Sequence, residues 1–174
     1  MSRTTLKKIG SFVPLAAILT TIFYFSSQTG STSHSLSWRF AVGSGNLLAM
    51  IFGWDRSWQE MNIVYESINS GIRILAHASE HMLLTFAFYL PLTYAFVKEK
   101  GILTKKNAPA IPFPLRVTGA VALTVGCAFL DELHQSFVYG RVADIMDVLV
   151  DSCGALVAAG IITLVHFVRK RRNR

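Results

Sequence analysis

LRVTGAVALTVGCAFLDELHQSFV (residues 115–138) and IMDVLVDSCGALVAAGIITLVHFV (residues 145–168) decide how this 174-residue chain folds. Each matches the roughly 20 apolar residues a helix needs to cross about 30 Å of hydrocarbon. In lipid only a helix satisfies its own backbone polar groups within one segment, so both runs are expected to be helical. Two further runs, 11–27 and 72–97, have the same character. The expected fold is therefore all-α: a single domain over 1–174, polytopic, with four transmembrane helices.

Composition agrees. Hydrophobic residues make up 52% of the chain and charged residues only 16%, against about a quarter charged in soluble domains. Mean hydropathy is +0.43. These values argue against a soluble enzyme, a disordered tail protein or a secreted disulfide scaffold. Cys127 and Cys153 both lie inside apolar runs and read as packing residues. Neither belongs to a metal-ligand spacing. The first run resembles a signal peptide, with Arg3, Lys7 and Lys8 ahead of it. It lacks a small-x-small cleavage site, so it reads as a retained anchor.

The net charge of +7 raises nucleic acid as a partner until the cations are placed. Thirteen of the seventeen Lys and Arg residues fall on one side of a four-span topology. They are Arg3, Lys7 and Lys8; Lys98, Lys100, Lys105, Lys106 and Arg116; and Arg169, Lys170, Arg171, Arg172 and Arg174. The positive-inside rule makes that side the cytoplasm and puts both termini there. Orientation explains the basic excess without nucleic acid. Glu99 is the one acid on that side, so its net charge is +12; the other nine acids and four arginines leave the outer side at −5. The connection around Pro109, Pro112 and Pro114 reads as a cytoplasmic linker.

The long outer connection, about 28–71, opens with Gly30-Ser31-Thr32-Ser33, which reads as a loop. Beyond it the chain is too apolar for a solvated segment. Two short amphipathic helices are expected, roughly 36–52 and 57–70, lying on the membrane surface or capping the bundle.

Ionisable residues within spans are expensive, and here they form a set. Arg73, His77 and Glu80 share one face of the second span at i, i+4 and i+7. Asp131, His134 and Gln135 share a face of the third span with Cys127 and Thr124, while Glu132 points about a quarter-turn away and reads as peripheral. Asp144, Asp147 and Asp151 share a face of the fourth span that continues as Gly154, Ala155 and Ala158. That small-residue stripe admits a close neighbour. Ser26, Ser27 and Gln28 end the first span at the same level. The expected result is a polar chamber opening to the outside.

Asp131-Glu132-Leu133-His134-Gln135-Ser136-Phe137-Val138-Tyr139-Gly140-Arg141, followed by Asp144, Asp147, Asp151 and Gly154, resembles the signature of the VanZ-like family of bacterial membrane proteins. Arg73-x-x-x-His77-x-x-Glu80 resembles that family's second motif, and Ser26-Ser27-Gln28 a third. His81 stands where the family usually carries tyrosine, which leaves its role open. The resemblance implies a multi-pass protein of the bacterial cytoplasmic membrane. Through one member it implies a link to low-level teicoplanin resistance, and hence to antibiotic resistance at the cell envelope. It implies no defined reaction.

Three readings of the cluster stay open, and with them whether the protein is an enzyme. One is a structural ion-pair network, with Arg73 on Glu80 or a fourth-span aspartate, and Arg141 forked to Asp144 or Asp147. Another is a binding site for a lipid headgroup or cell-wall precursor at the outer leaflet, with Arg73, Gln135, Arg141 and Asp144 as ligand-binding residues. The third is catalysis by His77, Glu80, Asp131, His134, Asp147 or Asp151. In it a divalent metal would sit on His77, Glu80, His134, Asp147 and Asp151, activating water for hydrolysis or transfer on a lipid-linked precursor.

Overall fold

The computed structural model of the chain describes residues 3–98, 108–109 and 111–173. Lys100, Lys105, Lys106, Arg174 and Glu99, counted above for orientation, lie outside the described residues. Six helices carry the fold: α1 (Arg3–Gly10), α2 (Val13–Ser26), α3 (Gly30–Phe52), α4 (Trp58–Tyr94), α5 (Phe113–Gln135) and α6 (Ile145–Arg172). Between α4 and α5, β1 (Val97–Lys98) pairs antiparallel with β2 (Ala108–Pro109), Val97 facing Pro109.

Three helical stretches are long and apolar enough to cross a bilayer: Thr5–Ser26, Phe113–Gln135 and Ile145–Arg172, with mean hydropathies of 1.7, 1.6 and 2.2. The second expected span is not an apolar helix of its own. Residues 72–94 are the continuation of the 37-residue α4, which is about 55 Å long at 1.5 Å per residue. His77, Glu80 and His81 dilute its apolar half.

The outer helices also differ from expectation. The segment 57–70 is not a separate surface helix but the first part of α4. Ser57 caps that helix in a reciprocal box: its hydroxyl accepts from the Glu60 amide, and the Glu60 carboxylate accepts from the Ser57 amide at 2.9 Å. That bond from the Ser57 amide holds the Glu60 carboxyl below its ordinary range. Its contribution is therefore present above the usual carboxylate range and is lost as pH falls through the lowered value. Gly71 does not interrupt the helix, because one glycine costs only about 1 kcal/mol against alanine. The expected helix 36–52 instead begins at Gly30, so the GSTS segment is helical rather than a loop. Thr29 provides the N-cap, its hydroxyl accepting from the Thr32 amide. α3 then runs along α4, with the Tyr65 hydroxyl donating to Asn46 and the Tyr65 ring lying against Gly45.

The bundle has two distinct ends. At one, which we call the turn end, the C-termini of α2 and α5 meet the N-terminus of α6. Ser27 Oγ lies 3.2 Å from His134 Nε2, and Arg141 Nε donates to the Gln28 carbonyl at 3.1 Å. At the other, the tail end, Arg116 in the first turn of α5 donates to Thr93 near the end of α4 at 3.0 Å. His166 of α6 stacks on Phe113 there, with centroids 3.8 Å apart. So α2 and α5 run parallel, α4 and α6 run opposite to them, and the chain traverses the bundle four times. Arg116, counted among the cations that set the orientation, is buried, with its guanidinium near the rings of Tyr89 and Phe113.

The closest helix pair is α4 with α6. A methyl group added at Gly154 would collide with the Ala78 carbonyl, whereas one at Gly160 would meet nothing within 4 Å. The buried Ala155 and Ala158 extend this contact as the small-residue stripe predicts. Gly154→Ala and Gly160→Ala should therefore change stability in opposite directions. Denaturation in detergent is expected to show Gly154→Ala destabilised by about 1–3 kcal/mol through overpacking. Gly160→Ala should be neutral or stabilised by up to about 1 kcal/mol. Equal effects would mean that the contact does not set the helix spacing.

Candidate functional site

Where α4 and α6 touch, Asp151 is buried with no exposed surface, against His77 and His81 one turn apart on α4. Its Oδ1 lies 3.0 Å from His81 Nδ1 and 3.5 Å from His77 Nδ1. Neither contact is aligned as a hydrogen bond, and among the described residues Oδ2 and His81 Nε2 have no partner. An imidazole set against a carboxylate is a pairing in which buried ionisable side chains are tolerated. His81, whose role the sequence left open, is thus 1% exposed and one of two imidazoles holding Asp151. Below it the Thr85 hydroxyl lies 2.9 Å from both the His81 carbonyl and the Thr124 hydroxyl, tying α4 to α5.

The turn from α5 to α6 is held by a second network. Arg141 donates to Gln135 Oε1 at 2.6 Å and to the carbonyls of Gln28 and Phe25 at 3.1 and 3.2 Å. Gln135 in turn donates to Asp131 Oδ2 at 2.7 Å. Glu132 accepts the Asp144 amide at 2.8 Å, and Asp144 accepts the Met146 amide at 2.9 Å as the N-cap of α6. Gly140, at φ +75°, brings its carbonyl so near Gly30 that a side chain at Gly30 would collide with it. The Gly30 amide also donates to the Tyr139 carbonyl at 3.2 Å.

These contacts correct three expectations and add one role. Arg141 does not fork onto Asp144 or Asp147; one N–H from each of its three nitrogens goes to Gln135 or the end of α2, which leaves the second hydrogens of Nη1 and Nη2. Arg73 makes no ion pair with Glu80 or a fourth-span aspartate among the described residues. Asp144 serves as the N-cap of α6 through Oδ1, a role the sequence reading did not give it. Glu132 is buried and ties α5 to the start of α6, so it is not peripheral.

Three cavities meet at the turn end. A chamber of about 230 Å³ is lined by His77, Glu80, Asp131, Gln135, Arg141 and Ser26 among others. A polar cavity of about 310 Å³ shares Gln135 and Arg141 with it and adds Arg73, His34 and Asp147. An apolar groove of about 410 Å³ shares Asp131 and Ile22 with the chamber and includes His134. Most of the expected site residues therefore converge, while Asp151 lies beneath them as support. No three His, Cys, Asp or Glu side chains among the described residues are grouped to hold a metal ion, so the expected five-residue metal set does not assemble. The sequence reading missed the wall supplied by α3, where Ser33, Leu36, Ser37 and Phe40 face the chamber. Their i, i+3, i+4, i+7 spacing is the signal that a helix beginning at Gly30 would have revealed.

Burial of the Arg141 guanidinium, and then the charge of Arg73, push its pKa below the ordinary arginine value. It stays charged at any physiological pH. Two cations thus share the rim of one cavity.

If Asp151 supports the bundle through both imidazoles, Asp151→Ala should lower the thermal midpoint in detergent by more than His77→Ala, which leaves the His81 contact. The loss expected on stripping one side of a buried pair is about 3–5 kcal/mol. Arg73→Gln should leave the midpoint near that of the parent. Equal midpoints for all three variants would remove Asp151 from the framework.

No curated protein and no solved structure matches the chain. The family model described as VanZ/LLP1 matches residues 11–166. That span takes in α2 to α5, α6 as far as His166 and every residue of the turn-end network described above, and on it the chain belongs to the VanZ/LLP1 family.

Proposed function

We propose that this VanZ-like membrane protein crosses the bacterial cytoplasmic membrane four times, termini inside, and binds an anionic cell-envelope component at its outer face. Parallel α2 and α5 support the crossing number, because a chain leaving α2 at the turn end must return through α4 before α5 starts. The described cations Lys7, Lys8 and Arg169 to Arg172 lie at the tail end, which supports placing that end in the cytoplasm.

The observation that carries the binding reading is the pair Arg73 and Arg141 on one polar cavity, neither ion-paired among the described residues. Two arginines facing the same space repel, and a phosphate or carboxylate between them removes the repulsion and accepts their forked donors. Asp147 lines the same cavity, and a single carboxylate does not neutralise both cations. A ligand held there would fit an effect on glycopeptide tolerance, since the drug's target lies on the outer side.

A second reading, chemistry on the bound group, is favoured by His77. Its Nδ1 edge is turned to Asp151 while the ring lines the chamber, an arrangement suited to a general base.

Topology is checked with single cysteines in a chain whose Cys127 and Cys153 are replaced by serine. Val142→Cys should react with a membrane-impermeant maleimide on intact cells, and Lys105→Cys only after permeabilisation. The reverse pattern would invert the orientation.

Function is checked with Arg73→Gln, whose guanidinium supports no described ion pair. Purified protein should bind inorganic phosphate or a soluble phosphomonoester at least about tenfold more weakly, a loss of about 1.4 kcal/mol. Cells expressing the variant at parental level should lose glycopeptide tolerance. Unchanged phosphate binding would refute the anion site.

A further inference from the structure

The apolar groove has no role in the anion site, yet it opens from it. It lies along the seam between α2 and α5, with Leu19, Ile22 and Phe23 on one wall and Cys127 and Leu130 on the other. Leu84 of α4 lies among its lining residues. Its two polar lining residues, Asp131 and His134, stand near the C-terminal end of α5, next to the chamber. Ile22 and Asp131 line both spaces, and Gln135 and Arg141 line both the chamber and the arginine cavity. The sequence of environments is continuous: two arginines, then a mixed chamber, then a hydrocarbon slot.

The slot also has a side entrance. Phe23 and Leu130, on opposite walls, are 61% and 66% exposed. They lie about one turn in from the ends of α2 and α5, where the outer ends of these helices meet lipid in the four-crossing arrangement. α2 packs more closely on α4 than on α5. The seam between α2 and α5 is therefore where a chain can enter without unpacking the core. Water gains nothing by filling a slot lined with Leu, Ile and Phe, and a hydrocarbon chain does.

We propose that the site takes an amphipathic lipid with a phosphate-bearing headgroup, admitted sideways from the outer leaflet. The phosphate lies between Arg73 and Arg141, and one hydrocarbon chain lies in the α2–α5 groove. This rests on the anion-binding reading above and adds the chain. The occupant is a lipid rather than a free phosphate because the polar cavity does not stand alone. It is joined through the chamber to an apolar space open at membrane depth, and a free anion would use none of that space.

The test uses the full-length protein in mild detergent with three probes. They are a fluorescent phosphatidic acid, glycerol 3-phosphate as the headgroup alone, and the matching diacylglycerol as the chain alone. Phosphatidic acid should bind at least about tenfold more tightly than glycerol 3-phosphate, since burying two methylenes already suffices at about 0.8 kcal/mol each. Arg73→Gln should weaken both phosphate probes. Leu130→Trp and Leu19→Trp, which fill the groove from opposite walls, should weaken phosphatidic acid alone by a similar factor.

Equal affinities for phosphatidic acid and glycerol 3-phosphate, with both tryptophan variants silent and Arg73→Gln still effective, would overturn the lipid and leave the anion site standing. Equal affinities for phosphatidic acid and diacylglycerol, untouched by Arg73→Gln, would overturn both. Should neither tryptophan variant fold, a phosphatidic acid bearing a photoreactive chain decides on the parent protein. Cross-links at 19–23 and 127–130 support the groove, and cross-links confined to other faces reject it.

Discussion

A carboxylate with no exposed surface must be answered by another side chain, and this fold is arranged around that requirement. Asp151 finds two imidazoles one helical turn apart on α4. Three residues further along α6, Gly154 brings the α6 backbone against the Ala78 carbonyl between those same histidines. The close approach and the ion pair are one feature. A larger residue at 154 would push the helices apart and leave Asp151 without partners, and loss of Asp151 would leave the buried His81 imidazole without its carboxylate. The helix spacing and the charge state are therefore set together.

This arrangement separates support from function. The buried side of the network (His81, Asp151, Thr85 and Thr124) is closed to solvent and holds α4, α5 and α6. The turn network of Arg141, Gln135, Glu132 and Asp144 fastens the ends of α2 and α5 to the start of α6. What remains open is a small group at the junction: Arg73, His77, Glu80, Asp131 and Asp147, with the Nη hydrogens of Arg141 that the turn network leaves unused. The buried groups are largely committed to each other, so a ligand in the chamber meets side chains whose supports are already fixed.

The sequence revealed the members of this site better than their duties. Helical spacing placed His77, Glu80, Asp131 and Gln135 on converging faces, because ionisable residues in apolar runs stand out. It did not show that Asp144 caps α6 or that Glu132 is buried, since a carboxylate that accepts a backbone amide looks no different in sequence from one that binds a ligand. His81 was obscured by the departure from the family's usual residue, although i, i+4 spacing from His77 already put both imidazoles on one face. Gly30-Ser31-Thr32-Ser33 misled for a related reason: Thr29 caps the helix, and Gly30 is needed for its approach to Gly140. The same residue types favour a turn and a helix start, and only the partner across the bundle decides between them.

The polarity of α4 follows from these assignments. A helix that carries His77, Glu80 and His81 through an apolar bundle gives up hydropathy, which is why it stands below the three plainly apolar stretches. It is also the helix with the most extensive packing, against α2, α3, α5 and α6. Those facts belong together. A helix facing lipid can be apolar throughout, but it has no partners with which to satisfy polar groups; α6 keeps its one fully buried carboxylate, Asp151, on the face that meets α4. A helix enclosed by four others can hold ionisable side chains, because each neighbour supplies a carboxylate, a hydroxyl or a cavity. The residues that weaken α4 as a membrane span are therefore the ones that its central position makes affordable, and two of them, His77 and Glu80, line the chamber.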